Sequence, residues 1–151
     1  MKPSYAAEPL KNYPCQIYVF DSSFVGGLIL PDERTLQIDT LYAKIKNDDV
    51  KLAPQLLWYE VANIFKNLIR RRRYTYNEVL NFIPALTALR LTSDSESGGG
   101  HTEKLLRLSY QYDISAYDAA YLELVGRKKA VLCTLDENLR KAAEAYGAAV
   151  L

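Results

Sequence analysis

Histidine and cysteine are nearly missing from this chain. One histidine, His101, and two cysteines, Cys15 and Cys133, are all that 151 residues contain. The cysteines share no CxxC spacing, so neither a zinc site nor a paired-cysteine redox motif can be assembled from these soft ligands. Two distant cysteines also make no disulfide framework, and both read as buried free thiols bordering strands. Long apolar runs are absent, which excludes a helix that spans a bilayer. The first residues, Met1-Lys2-Pro3-Ser4-Tyr5-Ala6-Ala7-Glu8-Pro9, have no apolar core of a signal peptide. The cytosol is therefore the expected compartment. Charge of one sign is not in excess either: 19 Lys and Arg face 18 Asp and Glu.

What remains is an ordinary globular composition, 49% hydrophobic and 25% charged, which suits one domain with one core. Residues 1–14 read as a loose N-terminal extension and residues 15–151 as a single domain. Cys15 to Phe20 is β-branched and aromatic, a buried strand ending at Asp21. Ser22 to Leu30 reads as a short helix loosened by Gly26-Gly27, and Asp32 to about Lys46 as another. Val50 to Ala53 is a brief strand candidate. Pro54 then suits the first turn of a helix. Its apolar stripe is Leu57, Val61, Ile64, Phe65 and Leu68. That helix closes on Arg70-Arg71-Arg72-Arg73, where cations favour the negative end of the dipole. The four arginines read as a solvated helix end or as a contact for phosphates or an acidic segment.

Thr75-Tyr76-Asn77-Glu78 matches a capping box and opens a helix to about Ala88. Leu89 to Thr92 is a third strand candidate, and Ser93 to Gly100 a surface loop. Helices follow at His101 to Tyr112 and Ser115 to Arg127, with His101 expected exposed at a helix start. Then come a strand at Ala130 to Leu135, a helix at Glu137 to Tyr146 ended by Gly147, and a last strand at Ala148 to Leu151. Alternating strands and helices predict an α/β fold, three layers deep, with a mainly parallel sheet. Most of the twelve tyrosines are expected in structural roles, with Tyr18, Tyr117 and Tyr121 lining the core or a dimer face.

Four acids stand out against this frame. Asp21 and Asp136 follow strands, where Asp is also among the best helix N-caps. Asp118 lies three residues after Ser115, the acidic position of a capping box. Singly, each reads as a cap. Glu60 differs, because it sits inside a helix beside the apolar stripe, with Asn63 on the same side. Ligands of an open α/β sheet bind at the carboxyl ends of its strands. Four acids converging there repel one another unless a hard divalent cation neutralises them. Ser22 and Ser23 add hydroxyls beside Asp21, and Thr134 stands two residues before Asp136. Such an oxygen-only set suits Mg²⁺ or Mn²⁺. With four acids so engaged, fourteen remain against the 19 cations, and the rest of the molecule carries about +5. That balance suits a polyanionic substrate.

Tyr18-Val19-Phe20-Asp21-Ser22-Ser23, Glu60-Val61-Ala62-Asn63, Tyr117-Asp118-Ala119-Ala120-Tyr121-Leu122-Glu123-Leu124 and Thr134-Leu135-Asp136-Glu137-Asn138-Leu139 occur in an order and spacing that resembles PIN domains. The set looks most like the toxins of bacterial and archaeal VapBC toxin–antitoxin pairs. The resemblance runs from about Ile17 to Leu151, and it is the ordered set of four motifs that is specific. It implies a five-stranded parallel sheet between helices and a Mg²⁺- or Mn²⁺-dependent endoribonuclease acting on RNA. Asp21, Glu60 and Asp118 would be its core acids, Asp136 a more variable fourth, and Thr134, with Ser23 and Asn63, its supporting polar groups. It further implies a cognate antitoxin and a homodimer. The extension at residues 1–14 and the Gly-rich loop before His101 depart from the family pattern but leave the motif acids untouched. A non-catalytic PIN-like module remains as the alternative. A response-regulator phosphoacceptor fits poorly, because Asp21 is followed by serines and the last strand carries no lysine.

Overall fold

The structure, a computed structural model, describes residues 15–151, so the expected extension at residues 1–14 lies outside the described residues. The chain alternates strands and helices. It opens with β1 (Ile17–Phe20), α1 (Ser22–Ile29), α2 (Leu36–Tyr42), β2 (Val50–Pro54) and α3 (Leu56–Arg70). There follow α4 (Tyr76–Leu80), α5 (Ile83–Ala88), β3 (Thr92–Asp94), α6 (Gly99–Tyr112), α7 (Ala116–Lys128), β4 (Val131–Cys133) and α8 (Glu137–Tyr146). The four strands form one sheet in the order β3-β2-β1-β4, and every pairing is parallel.

Strand alternation sends the side chains of β1 to two separate cores. Tyr18 and Phe20 pack with Phe24, Leu57, Val61, Phe65 and other residues of α1 and α3. Val19 faces the opposite side, with Tyr121, Leu122 and Val125 of α7 and Leu139 of α8. The sheet is thus the middle layer of an α/β/α sandwich. Burying a residue such as Phe20 completely stabilises the fold by about 1.5–3 kcal/mol. The predicted stripe of α3 holds: Leu57, Val61, Phe65 and Leu68 are buried, and Ile64 packs against their cluster.

Several expected boundaries move. Helix α2 spans only Leu36–Tyr42, because Thr35 caps it by accepting from the Ile38 amide. The helix expected from Thr75 to Ala88 is two. The capping box of Thr75 and Glu78 forms, α4 ends at Leu80, and α5 starts afresh with a proline in its first turn. Proline has no N–H to continue the earlier ladder. Pro54 closes β2 instead of opening α3. The third strand lies at Thr92–Asp94, beyond the apolar Leu89 and Leu91, since Arg90 takes a left-handed turn (φ 53°). Helix α6 begins two residues early, at Gly99, and His101 is half-buried in it. The fifth strand shrinks to one parallel bridge, Leu132 with Val150, held by the Leu132 amide donating to Ala149 O and the Leu151 amide to Leu132 O. Cys133 is buried as expected, but Cys15, just ahead of β1, is exposed.

Gly27 matters for the layers. A methyl group there would collide with the Ile38 side chain and touch Leu135 Cδ1 at 3.0 Å, so glycine lets α1 close onto both α2 and the segment after β4. Among the described residues no helix is long and apolar enough to cross a membrane.

Candidate active site

Strand order reverses between β1 and β4, because the chain leaves β1 toward β2 on one side and returns to β4 on the other. Such a switch point opens a crevice beyond the strand ends. The parallel register pairs Phe20 with Cys133, and the Asp21 amide extends the ladder by donating to Cys133 O at 3.1 Å. The next residues along, Asp21 and Thr134, therefore lie side by side.

Their side chains form a tight knot. Thr134 Oγ1 donates to Asp21 Oδ2 at 2.6 Å, and Ser23 Oγ lies 2.8 and 2.9 Å from the two Asp21 oxygens. Ser23 Oγ in turn accepts from the Leu135 amide at 2.9 Å, and Thr134 Oγ1 from the Asp136 amide at 2.9 Å. Arg140 fixes the backbone here, donating to Thr134 O at 3.0 Å. Asp21 is 4% exposed. Burial pushes its carboxyl above the ordinary range, the bonds from Thr134, Phe24 and Ser23 pull it back, and the charge of Asp136 pushes it up again.

Glu60 enters from α3. Its carboxylate accepts a hydrogen bond from the Tyr121 hydroxyl of α7. Burial raises its pKa, the Tyr121 bond opposes this, and the charges of Asp21 and Asp118 add to the rise, with Ser22 Oγ opposing them. Tyr121, 1% exposed, is itself held protonated by burial and by Glu60. Sequence reasoning assigned Tyr121 to packing and missed this partnership. The available signal was its place three residues after Asp118, on the same side of a helix.

The capping readings of Asp21 and Asp136 are also realised, whereas the capping box expected of Ser115 and Asp118 forms only in its Ser115 half. Asp21 accepts from the Phe24 amide at 2.9 Å and Asp136 from the Leu139 amide at 2.8 Å, so they start α1 and α8. Asp118 sits at the third position of α7, where Ser115 Oγ accepts from its amide at 3.0 Å and donates to its Oδ2 at 2.9 Å. Three helix N-termini, each with a positive dipole end, therefore point acids toward the same end of the sheet. Asn63 lies on the exposed surface of α3 one turn beyond Glu60, without a hydrogen bond to these acids. Tyr117, expected in the core or a dimer face, is 66% exposed beside Asp118.

Asp21, Ser23 and Thr134 are thus joined directly. Asp136 is linked through Thr134, and Glu60 feels the charges of Asp21 and Asp118. Among the described residues no three His, Cys, Asp or Glu side chains lie close enough to grip one cation between them. The donor chemistry nonetheless fits a hard divalent ion: every candidate ligand is oxygen, and Mg²⁺ takes only one or two carboxylates directly and fills its remaining positions with water. No Lys or Arg forms an ion pair with any of the four acids among the described residues.

The sequence matches the PIN domain family over residues 18–145, and the chain belongs to that family. PIN domains are generally nucleases, and they typically use divalent metals. Among solved structures, the crystal structure of PAE2754 from Pyrobaculum aerophilum superposes with a TM-score of 0.66 at 18% identity, covering 91% of this chain and 92% of that one. At that identity the likeness concerns the fold. No curated protein matches the chain.

Proposed function

We propose that this PIN domain is a Mg²⁺- or Mn²⁺-dependent endoribonuclease, and that it serves as the toxin of a type II toxin–antitoxin pair. One observation carries the catalytic part. Two partly or fully buried carboxyls, Asp21 and Glu60, have their pKa raised first by burial and then by the charge of neighbouring acids, and among the described residues no basic side chain pairs with them. A fold spends stability on such repulsion where a cation is to be bound.

Asp21, Glu60, Asp118 and Asp136 would hold the ion. When bound, it supplies positive charge to the phosphate oxygens and acidifies water. The chain's own residues do the rest. Ser23 and Thr134 fix both oxygens of Asp21, so its approach to the ion is set before substrate arrives. Tyr121 fixes Glu60, so that its carboxylate is positioned to accept a proton from water. Asp118 and Asp136, on helix starts, orient water or complete the ligand set.

A cognate antitoxin covering the acidic crevice, a homodimer and a cytoplasmic location belong to the same proposal and rest on the family resemblance. The competing reading is a PIN-like module that binds without cutting, and the helix-capping bonds of Asp21 and Asp136 favour it. Incubating purified protein with RNA in Mg²⁺, Mn²⁺ or EDTA separates the two. Cleavage that requires metal and disappears in Asp118→Asn supports the nuclease. A folded, partner-free protein that cuts no RNA in either metal refutes it.

A further inference from the structure

Beside Asp118 lies a cleft of about 500 Å³ between the α6–α7 turn and α8. That volume falls within the roughly 300–1,000 Å³ usual for sites that take small ligands. Its lining is partly apolar, with Ile114, Ala142 and Ala145, and also carries Asn138, Lys141, Asp113 and Asp118 itself. Asp118 therefore belongs both to the acid crevice and to the cleft, so one chain of nucleotides can occupy the two together.

Asn138 and Lys141 stand one turn apart on α8 and therefore on one side of that helix. Among the described residues Lys141 has only a long contact, 3.9 Å, to an exposed Glu137 carboxylate, and its side chain remains largely in solvent. A contact of this kind holds a lysine weakly. The Asn138 side chain, exposed in the cleft lining, offers one acceptor and two donors. Apolar lining, an amide and a solvent-exposed cation together match three parts of a nucleotide: the base face, the base edge and the phosphate.

Resting on the nuclease reading above, we propose that this cleft is a substrate subsite. It receives one unpaired nucleotide next to the scissile phosphate, with Asn138 reading the base edge and Lys141 holding the flanking phosphate. Asn138 thus sets base preference at one position, whereas Lys141 contributes affinity without regard to sequence.

The two roles give different signatures. Cleavage of a randomised RNA pool by the Mg²⁺-loaded protein, read by sequencing the product ends, should show a base preference at one position next to the cut. Asn138→Ala should relax that preference about tenfold, within the range a paired base edge contributes, while cutting continues. Lys141→Ala should leave the preference intact, raise KM for every sequence, and lower the slope of log affinity against log salt by about 0.7, the single-strand value for one phosphate. Lys141→Arg should restore the slope. Unchanged product ends in Asn138→Ala together with an unchanged salt slope in Lys141→Ala overturn the subsite while leaving the nuclease intact. If the wild-type protein cuts nothing, both fail. Loss of the preference in both variants alike also overturns the proposal, because it marks α8 as merely structural.

Discussion

Two groups of charged side chains reach into this domain, and they are built on opposite plans. In the first, Arg127 of α7 lies between Glu123 and Asp94. Its guanidinium contacts Asp94 Oδ2 at 2.6 Å and Glu123 Oε1 at 2.9 Å, tying α7 to the end of β3. Lys104 of α6 stands 3.9 Å from Glu123. Burial works against the ionisation of Asp94, but the bonds and charge of Arg127, with the Glu96 amide, outweigh it and hold the carboxyl below its ordinary value. In the second group, Asp21 and Glu60 have hydroxyl and amide donors but, among the described residues, no cationic partner, and their pKa values move the other way. One cluster carries its own countercharge. The other has none among the described residues, and it is on this difference that the proposed metal site rests.

Substitutions sharpen this contrast. The largest effect should come from Asp118→Asn. Cleavage is expected to fall by more than the roughly 10- to 100-fold that loss of a metal site's outer partners costs. The fold should persist, because the Ser115 Oγ bond to the residue 118 amide survives. Single-turnover cleavage and circular dichroism check the two halves. Next, Arg127→Met should cost about 3 kcal/mol in urea unfolding, since Glu123, 6% exposed, is left without its main partner.

Glu60→Gln should do the reverse and make the metal-free protein more stable at neutral pH. The sign follows from the raised pKa. A carboxyl that favours its protonated form in the folded state contributes its full stability below the ordinary value, about 4, and loses it as pH rises through the raised value. The advantage of Glu60→Gln over wild type should therefore shrink as pH falls toward 4. The deficit of Arg127→Met should also shrink on acidification, because lowered Asp94 loses its contribution as pH drops through its folded pKa. Melting curves at a series of pH values read both, and a Glu60→Gln variant less stable than wild type at pH 7 would break the contrast. The smallest effect belongs to Arg73→Ala. Its ion pairs with Asp32 and Glu33 are well exposed, so its melting temperature should barely move and any shift should vanish in high salt.

The parts of this arrangement that were legible in the sequence are those with local causes. Asp21 follows Ile17-Tyr18-Val19-Phe20, whose apolar run can only be a buried strand. The Thr75–Glu78 capping box, the Gly147 terminator (φ 88°) and the stripe of α3 are likewise written in spacing. Glu60 announced itself by lying beside that stripe. The unread parts depend on partners far along the chain. Tyr121 meets Glu60 across 61 positions, and no pattern within one helix distinguishes that tyrosine from a packing residue. Strand β3 is polar and takes its extended form from pairing with β2, so apolar Leu89 and Leu91 drew its expected start three residues too early. The last strand fell to a single bridge because only Ala149, Val150 and Leu151 meet β4. Cys15 lies just ahead of β1, and no apolar pattern reveals where burial begins.

Titration of Mn²⁺ into the protein, followed by electron paramagnetic resonance, bears most directly on whether the four acids act together. Wild type should bind the ion at micromolar to millimolar concentration, and Asp21→Asn, Glu60→Gln, Asp118→Asn and Asp136→Asn should each weaken binding. Ser115→Ala, which removes a cap without removing a carboxylate, should not. Equal Mn²⁺ affinity in all these variants, with only their helix starts loosened, would mean that the acids do no more than cap helices.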